Sequence, residues 1–194
     1  MLYHIYTTDG IILKRTGFGE ANILLYVLTK ELGLIIASAR SARLAVSKLR
    51  PTLQEYANVS VSLIQGKNGW KVTNVVEKNN FYFDVPEYSK VLLARVGAVL
   101  LQMITGESPH PEIFQTVVSG FEFLKTIEKK NISEFETLIV LRILYELGYV
   151  VKNDDTEIFL KEPNEWNNEI LTKVGEQKVV LVALINKALK ESQL

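Results

Sequence analysis

Along the first eighty residues the apolar positions fall in short blocks of strand length. Asn22 to Thr29 (NILLYVLT) is almost wholly apolar and too short for an ordinary helix, which predicts a strand with little exposed surface. Gly10 to Arg15 is a shorter apolar run closing on a Lys-Arg pair, and Gly33 to Ala39 follows the turn-like Lys30-Glu31-Leu32-Gly33. Asn58 to Ile64 alternates cleanly, with Val59, Val61 and Leu63 on one side and Asn58, Ser60 and Ser62 on the other. Gly66-Lys67-Asn68-Gly69 reads as a hairpin loop, and Trp70 to Val76 as a fifth strand. Five short strands joined by tight turns predict a small barrel, because closure protects the edges of so small a sheet.

After Phe83 the period becomes helical. Pro86 suits a first helical turn, and Tyr88 to Ile104 carries apolar residues at 92, 96, 99, 100 and 103. Gly106 to Pro111 breaks the pattern, and Pro111 opens a second helix with Ile113, Phe114, Val117, Val118, Phe121 and Leu124 on one stripe. Lys125, Lys129 and Lys130 are read as its C-terminal charges. Ser133-Glu134-Phe135-Glu136 predicts a capping box, Ser133 as N-cap and Glu136 reaching back, for a helix that runs to Gly148. Asn153 to Trp166 is polar and irregular apart from Ile158-Phe159-Leu160, and a last helix is expected over Glu176 to Glu191. The reading is a β + α chain of two domains: residues 1–80 a five-stranded barrel, residues 81–194 all-α.

Charge sharpens the division. The net charge is zero, yet residues 1–80 hold 10 Lys+Arg against 5 Asp+Glu, and residues 81–194 hold 12 against 17. One half is therefore suited to a polyanion. Much of the excess lies between the third and fourth strands. There Ser38 to Leu53 (SARSARLAVSKLRPTL) carries Arg40, Arg43, Lys48 and Arg50, three serines and no acid. Such a segment is either a solvated loop or a phosphate-binding surface bordering the groove in which OB folds hold nucleic acid. Lys14 and Arg15 are placed to extend it. Tyr26, Tyr56 and Trp70 are either base-stacking platforms or barrel residues, and Phe18, in an exposed-looking turn, is the better stacking candidate.

Catalytic chemistry finds little foothold. The chain has no cysteine and two histidines far apart, His4 and His110, so neither a cysteine-built metal site nor a cofactor is expected. No spacing matches a metalloprotease, a serine-hydrolase elbow or a phosphate loop, and Gly17-Phe18-Gly19 reads as a β-turn. Asp154-Asp155 reads as a solvated loop pair. No basic-apolar leader is seen, and the stretch from Val91 to Ile104 is too short to cross a bilayer, so a cytoplasmic protein without membrane contact is expected. In the helical half, Arg142 falls beside Leu138, Leu141 and Tyr145 on one helix face. It either snorkels or, together with Tyr145, binds an acidic-apolar peptide.

The ordered series Asp9-Gly10-Ile11-Ile12-Leu13, Gly19-Glu20-Ala21-Asn22, Leu28-Thr29-Lys30-Glu31-Leu32-Gly33, Ala39-Arg40…Arg43 and Ser47-Lys48-Leu49-Arg50…Leu53-Gln54 resembles RecO N-terminal domains. Pro109-His110-Pro111-Glu112-Ile113-Phe114 and Leu147-Gly148-Tyr149 resemble landmarks of that family's helical domain. The resemblance implies an N-terminal OB-fold barrel that binds DNA, single- and double-stranded, followed by an all-α domain. It further implies a non-enzymatic recombination mediator that anneals strands and helps RecR load RecA onto ssDNA covered by single-strand-binding protein. RecR and the acidic, Phe-ended tail of that binding protein are the partners it implies. DNA contact is carried onto Arg40, Arg43, Lys48 and Arg50. Many family members hold a four-cysteine zinc site after the Gly-Tyr landmark. Here Val150 to Glu165 has no cysteine and the chain is shorter than usual, so metal binding is not carried over. Two other readings remain: an OB-fold accessory protein acting on RNA, and a protein-interaction adaptor whose barrel does not touch nucleic acid.

Overall fold

The structure is a computed structural model in which residues 4–47 and 49–192 are described. Five strands make up the N-terminal region: β1 (Ile5–Phe18), β2 (Asn22–Thr29), β3 (Gly33–Ala39), β4 (Ala57–Gly66) and β5 (Gly69–Asn80). They close into a barrel in the order β1-β2-β3-β5-β4. All neighbours are antiparallel except β3 and β5, which meet in parallel at Ala37–Trp70 and Ser38–Lys71. This is the expected five-stranded OB barrel with a helical region after it.

The first and last strands are longer than the apolar runs that announce them, because a strand can serve two neighbours. β1 pairs with β4 through Ile5–Ile11 and with β2 through Gly10–Phe18. The exchange occurs at Gly10, where a Cβ would stand 2.7 Å from the Val27 side chain. A glycine there lets the strand bend around the barrel corner. Inside, Ile12, Ile23, Leu25, Ile35, Val59 and Val61 are buried with Trp70, so the Asn58–Ile64 alternation is realised as inward valines and outward serines. Gly66 pairs with Gly69 across the two-residue turn Lys67-Asn68.

By its internal packing the chain falls into two units: residues up to Asp84 together with Thr105–Phe114, and Val85–Ile104 together with the residues from Gln115 onward. The helices are α1 (Phe81–Asp84), α2 (Lys90–Met103), α3 (Pro111–Phe123), α4 (Ile132–Glu146), α5 (Glu157–Leu160) and α6 (Asn168–Glu191). In the second unit α4 packs against α2 and α6. It is buried almost all round from Phe135 to Leu144, the mark of a central helix. No helix among the described residues is long and apolar enough to cross a membrane.

Three local expectations are corrected. Ser133 is not an N-cap: α4 begins one residue earlier behind Asn131, with no side-chain cap. Ser133 Oγ instead accepts from Lys178 Nζ at 2.6 Å, while Glu136 takes both its bonds from Arg95. Lys129 and Lys130 do not end α3, which stops at Phe123; they form a separate 3-10 turn, Lys129–Asn131. The last helix begins at Asn168, eight residues before Glu176, capped by Asn167, whose Oδ1 accepts from the Ile170 N–H at 2.9 Å.

Candidate nucleic-acid interface

The outer face of β1, β2 and β3 follows from alternation and register. With Ile23, Leu25 and Val27 turned inward, Asn22, Leu24 and Tyr26 turn outward; with Ile35, Ala37 and Ala39 inward, Leu34, Ile36 and Ser38 turn outward. Cross-strand pairing lines them up. Lys14 is opposite Tyr26, which is opposite Ile36; Thr16 is opposite Leu24, which is opposite Ser38; Phe18 is opposite Asn22. Ile36 and Phe18 are half exposed, at 50% and 54%, and Lys14 Nζ lies 5.6 Å from the Tyr26 ring centroid. Apolar and aromatic surface interleaved with a cation suits unpaired bases on a charged strand.

The basic connection is tied to this face at its start. Asn22 Oδ1 accepts from the Ser41 N–H at 3.0 Å, and the Arg43 N–H donates to the Ala21 carbonyl at 2.9 Å. Arg43 Nη1 donates to the Gly19 carbonyl at 3.2 Å. A Cβ on Gly17 would come within 3.3 Å of the same nitrogen, so the bare glycine leaves room for the guanidinium. Arg43, exposed, thus stands at the Gly19-Glu20-Ala21 turn, with Arg40 exposed just before Ser41; the turn expected at Gly17-Phe18-Gly19 lies further on, since Gly17 and Phe18 pair with Ile23 and Asn22 as the end of β1. The connection continues as turns with Leu44 and Val46 exposed, and Arg50 is exposed toward its end. Lys48 lies outside the described residues.

Lys14 and Arg15 part company. Arg15 points to the opposite side of β1, where Nη1 donates to Gln54 Oε1 at 2.6 Å and its backbone N–H to Glu55 Oε1 at 3.0 Å. There it borders a cavity of about 360 Å³ with Tyr56, Tyr82 and Phe83. Of the aromatic candidates, Trp70 is a barrel-core residue, 5% exposed with its ring edge-on to Tyr6 at 5.2 Å. Tyr56 is buried as well.

Arg142 requires a correction. It is fully buried, because α4 has no outer face at that position. Its Nε donates to the Phe159 carbonyl at 2.9 Å, and Nη1 to the carbonyls of Pro163 at 3.1 Å and Glu165 at 2.9 Å. The guanidinium carbon sits 4.3 Å from the Trp166 ring centroid. Burial lowers its pKa from the usual guanidinium range to about 10, with partial compensation from Glu165, so it stays cationic at neutral pH. The residue holds the 159–166 segment and offers nothing to a peptide; Tyr145 beside it is half-buried. Ile36, Tyr82 and Phe83 were missed from the sequence, since only register and the end of β5 bring them to the surface described here.

An OB barrel whose third strand runs into a basic connection, with a helical unit beyond it, defines the class to which the chain conforms. Residues 1–78 match the family model described as Recombination protein O N terminal. The chain is 28% identical over 148 residues to the DNA repair protein RecO of Heliobacterium modesticaldum, covering 75% of this chain and 52% of that one. It is 33% identical over 125 residues to that of Dehalococcoides mccartyi, covering 62% and 48%. A third, from Desulfitobacterium hafniense, is 26% identical over 146 residues, covering 75% and 52%. The N-terminal region is thus similar to the RecO N-terminal family, and most of the chain is similar to proteins named DNA repair protein RecO. The chain spans about half the length of the curated relatives it matches.

Proposed function

We propose that this chain is a DNA-binding recombination mediator in DNA repair that acts by holding single strands rather than by breaking or making bonds. The observation that carries the reading is the junction at the β1–β2 turn. There Arg43 of the basic connection is bonded to Gly19 and Ala21 next to Phe18, with Arg40 exposed just before it, and the outward face of β1–β3 continues from Phe18 to the Lys14–Tyr26–Ile36 row. Phosphates engage the guanidinium groups of Arg40, Arg43 and Arg50, with Lys14 as a further cation, and bases rest on Phe18, Tyr26 and Ile36. A strand held by its phosphates keeps its base edges free to find a complement, which is what annealing requires. Relatives named DNA repair protein RecO support extending the role: helping RecR load RecA onto ssDNA covered by single-strand-binding protein. The helical unit is then the part left for protein partners.

The test is titration of a labelled single-stranded oligonucleotide against the protein across a salt series. A slope of log affinity against log salt near −3 is expected if four to five cations each neutralise a phosphate, at about −0.7 per contact on single strands. A flat response removes the reading. Stronger competition by RNA of the same sequence would move the substrate from DNA to RNA.

A further inference from the structure

On the far side of β1 from the Lys14 row lies the cavity of about 360 Å³ bordered by Arg15, Gln54, Glu55, Tyr56, Tyr82 and Phe83. Its walls are aromatic and its polar groups mixed: a guanidinium, a carboxylate, a carboxamide and two phenols. Phe83 is 71% exposed and Tyr82 40%, and their rings meet at 5.5 Å and 87°, so the pair offers both an edge and a face. Tyr56 is one of two non-glycine residues with positive φ among those described, at +64°. That conformation is fastened from both sides. The Tyr56 N–H donates to the Ile12 carbonyl at 2.7 Å, and its own carbonyl accepts from the Phe81 N–H at 3.1 Å. Strain held in this way is concentrated at ligand sites.

We propose that this cavity takes a single unstacked nucleobase from a strand lying on the basic connection. The inference rests on the DNA-binding reading above. Gln54 joins the two places: its Nε2 donates to the Arg50 carbonyl at 3.0 Å and its Oε1 accepts from Arg15 Nη1 at 2.6 Å. A strand that follows the connection to Arg50 therefore arrives at the cavity. A base supplies the planar face that Phe83 and Tyr82 match, and donors and acceptors for the Glu55 carboxylate and Arg15 guanidinium. The Tyr56 phenol is kept protonated by burial and by the Glu55 charge, so it too can donate.

The experiment uses the full chain, a single strand carrying 2-aminopurine, and an abasic strand of the same length. Phe83→Ala and, separately, Tyr82→Leu are compared with the wild type; Phe83 is exposed enough for its removal to leave the fold intact, checked by circular dichroism. The expected result is an emission change on binding that Phe83→Ala abolishes, with affinity for the base-bearing strand down roughly tenfold and the salt slope unchanged. On the abasic strand the substitution has no effect. Equal binding of the base-bearing strand by wild type and both variants overturns the pocket while leaving the DNA reading intact. So does an equal loss on the abasic strand. A wild type that binds neither strand at low salt overturns both.

Discussion

The Arg43 guanidinium reaches back over the β1–β2 turn to the Gly19 carbonyl, 3.2 Å away. The contact connects a cation from the loop after β3 to the end of the face built by β1 and β2. A segment that is merely a run of positive charge in sequence thereby becomes the border of a surface. Because Arg43 spends one N–H on Gly19, its remaining donors project from a fixed position, which suits a phosphate better than a freely rotating chain.

Replacing Arg40 and Arg43 together with alanine should flatten the salt slope for single strands by about one to one and a half units, two contacts at about 0.7 each. Weakening should be similar for all sequences. The pair Lys129 and Lys130, in a 3-10 turn of the helical unit with Lys130 paired to Glu128, is the control and should change the slope little. An unchanged slope for the arginine pair would move the site off this connection.

Phe18→Ala separates stacking from charge. Loss of one exposed ring should weaken single-strand binding about five- to tenfold while leaving the salt slope alone. A change in slope without a loss at low salt would mean that Phe18 only shapes the turn beneath Arg43.

Arg142→Ala should destabilise the protein by about 2–4 kcal/mol, since the Phe159 carbonyl loses its donor in a buried place and those of Pro163 and Glu165 lose theirs in partly buried ones. Arg142→Lys should recover little, because an ammonium cannot span three carbonyls and the Trp166 face. Urea unfolding followed by tryptophan emission measures this. DNA affinity below the transition should stay at the wild-type value, and a specific loss of affinity would contradict a purely structural role.

Gly33→Ala tests the start of β3. Gly33 has φ +73°, and a Cβ there would stand 2.2 Å from the Ser108 carbonyl oxygen within the same unit. The left-handed conformation alone costs a larger side chain about 1–3 kcal/mol, and the backbone collision adds to it. A melting temperature equal to wild type would show that the 105–114 segment yields without cost.

Elemental analysis of untagged protein should give no stoichiometric zinc. The chain has no cysteine, and no cluster of three or more His, Asp or Glu among the described residues is arranged for a metal. One zinc per chain would require a ligand set of another kind.

Legible in the residues alone are the local features: the apolar centres of the five strands and the main helices, and the place where positive charge gathers, though not the limits of β1, α3 or α6. Period and hydropathy are properties of neighbouring residues, so Val59, Val61 and Leu63 could be turned inward and Arg40, Arg43 and Arg50 placed on one connection before any fold was known. Tertiary structure decided everything that depends on a distant partner. The register shift between Ile12 and Lys14 sends Lys14 to the Tyr26 row and Arg15 to Gln54, an assignment that alternation alone could not make after the unbroken buried run Gly10–Leu13. Ser133 and Glu136 spell a capping box, but Lys178 and Arg95 claim them from other helices. Arg142 reads as a surface cation until α4 is enclosed and the 159–166 segment supplies carbonyls and a ring for it. A buried charge is tolerable only where the chain returns to satisfy it, and that return is written far from the residue itself.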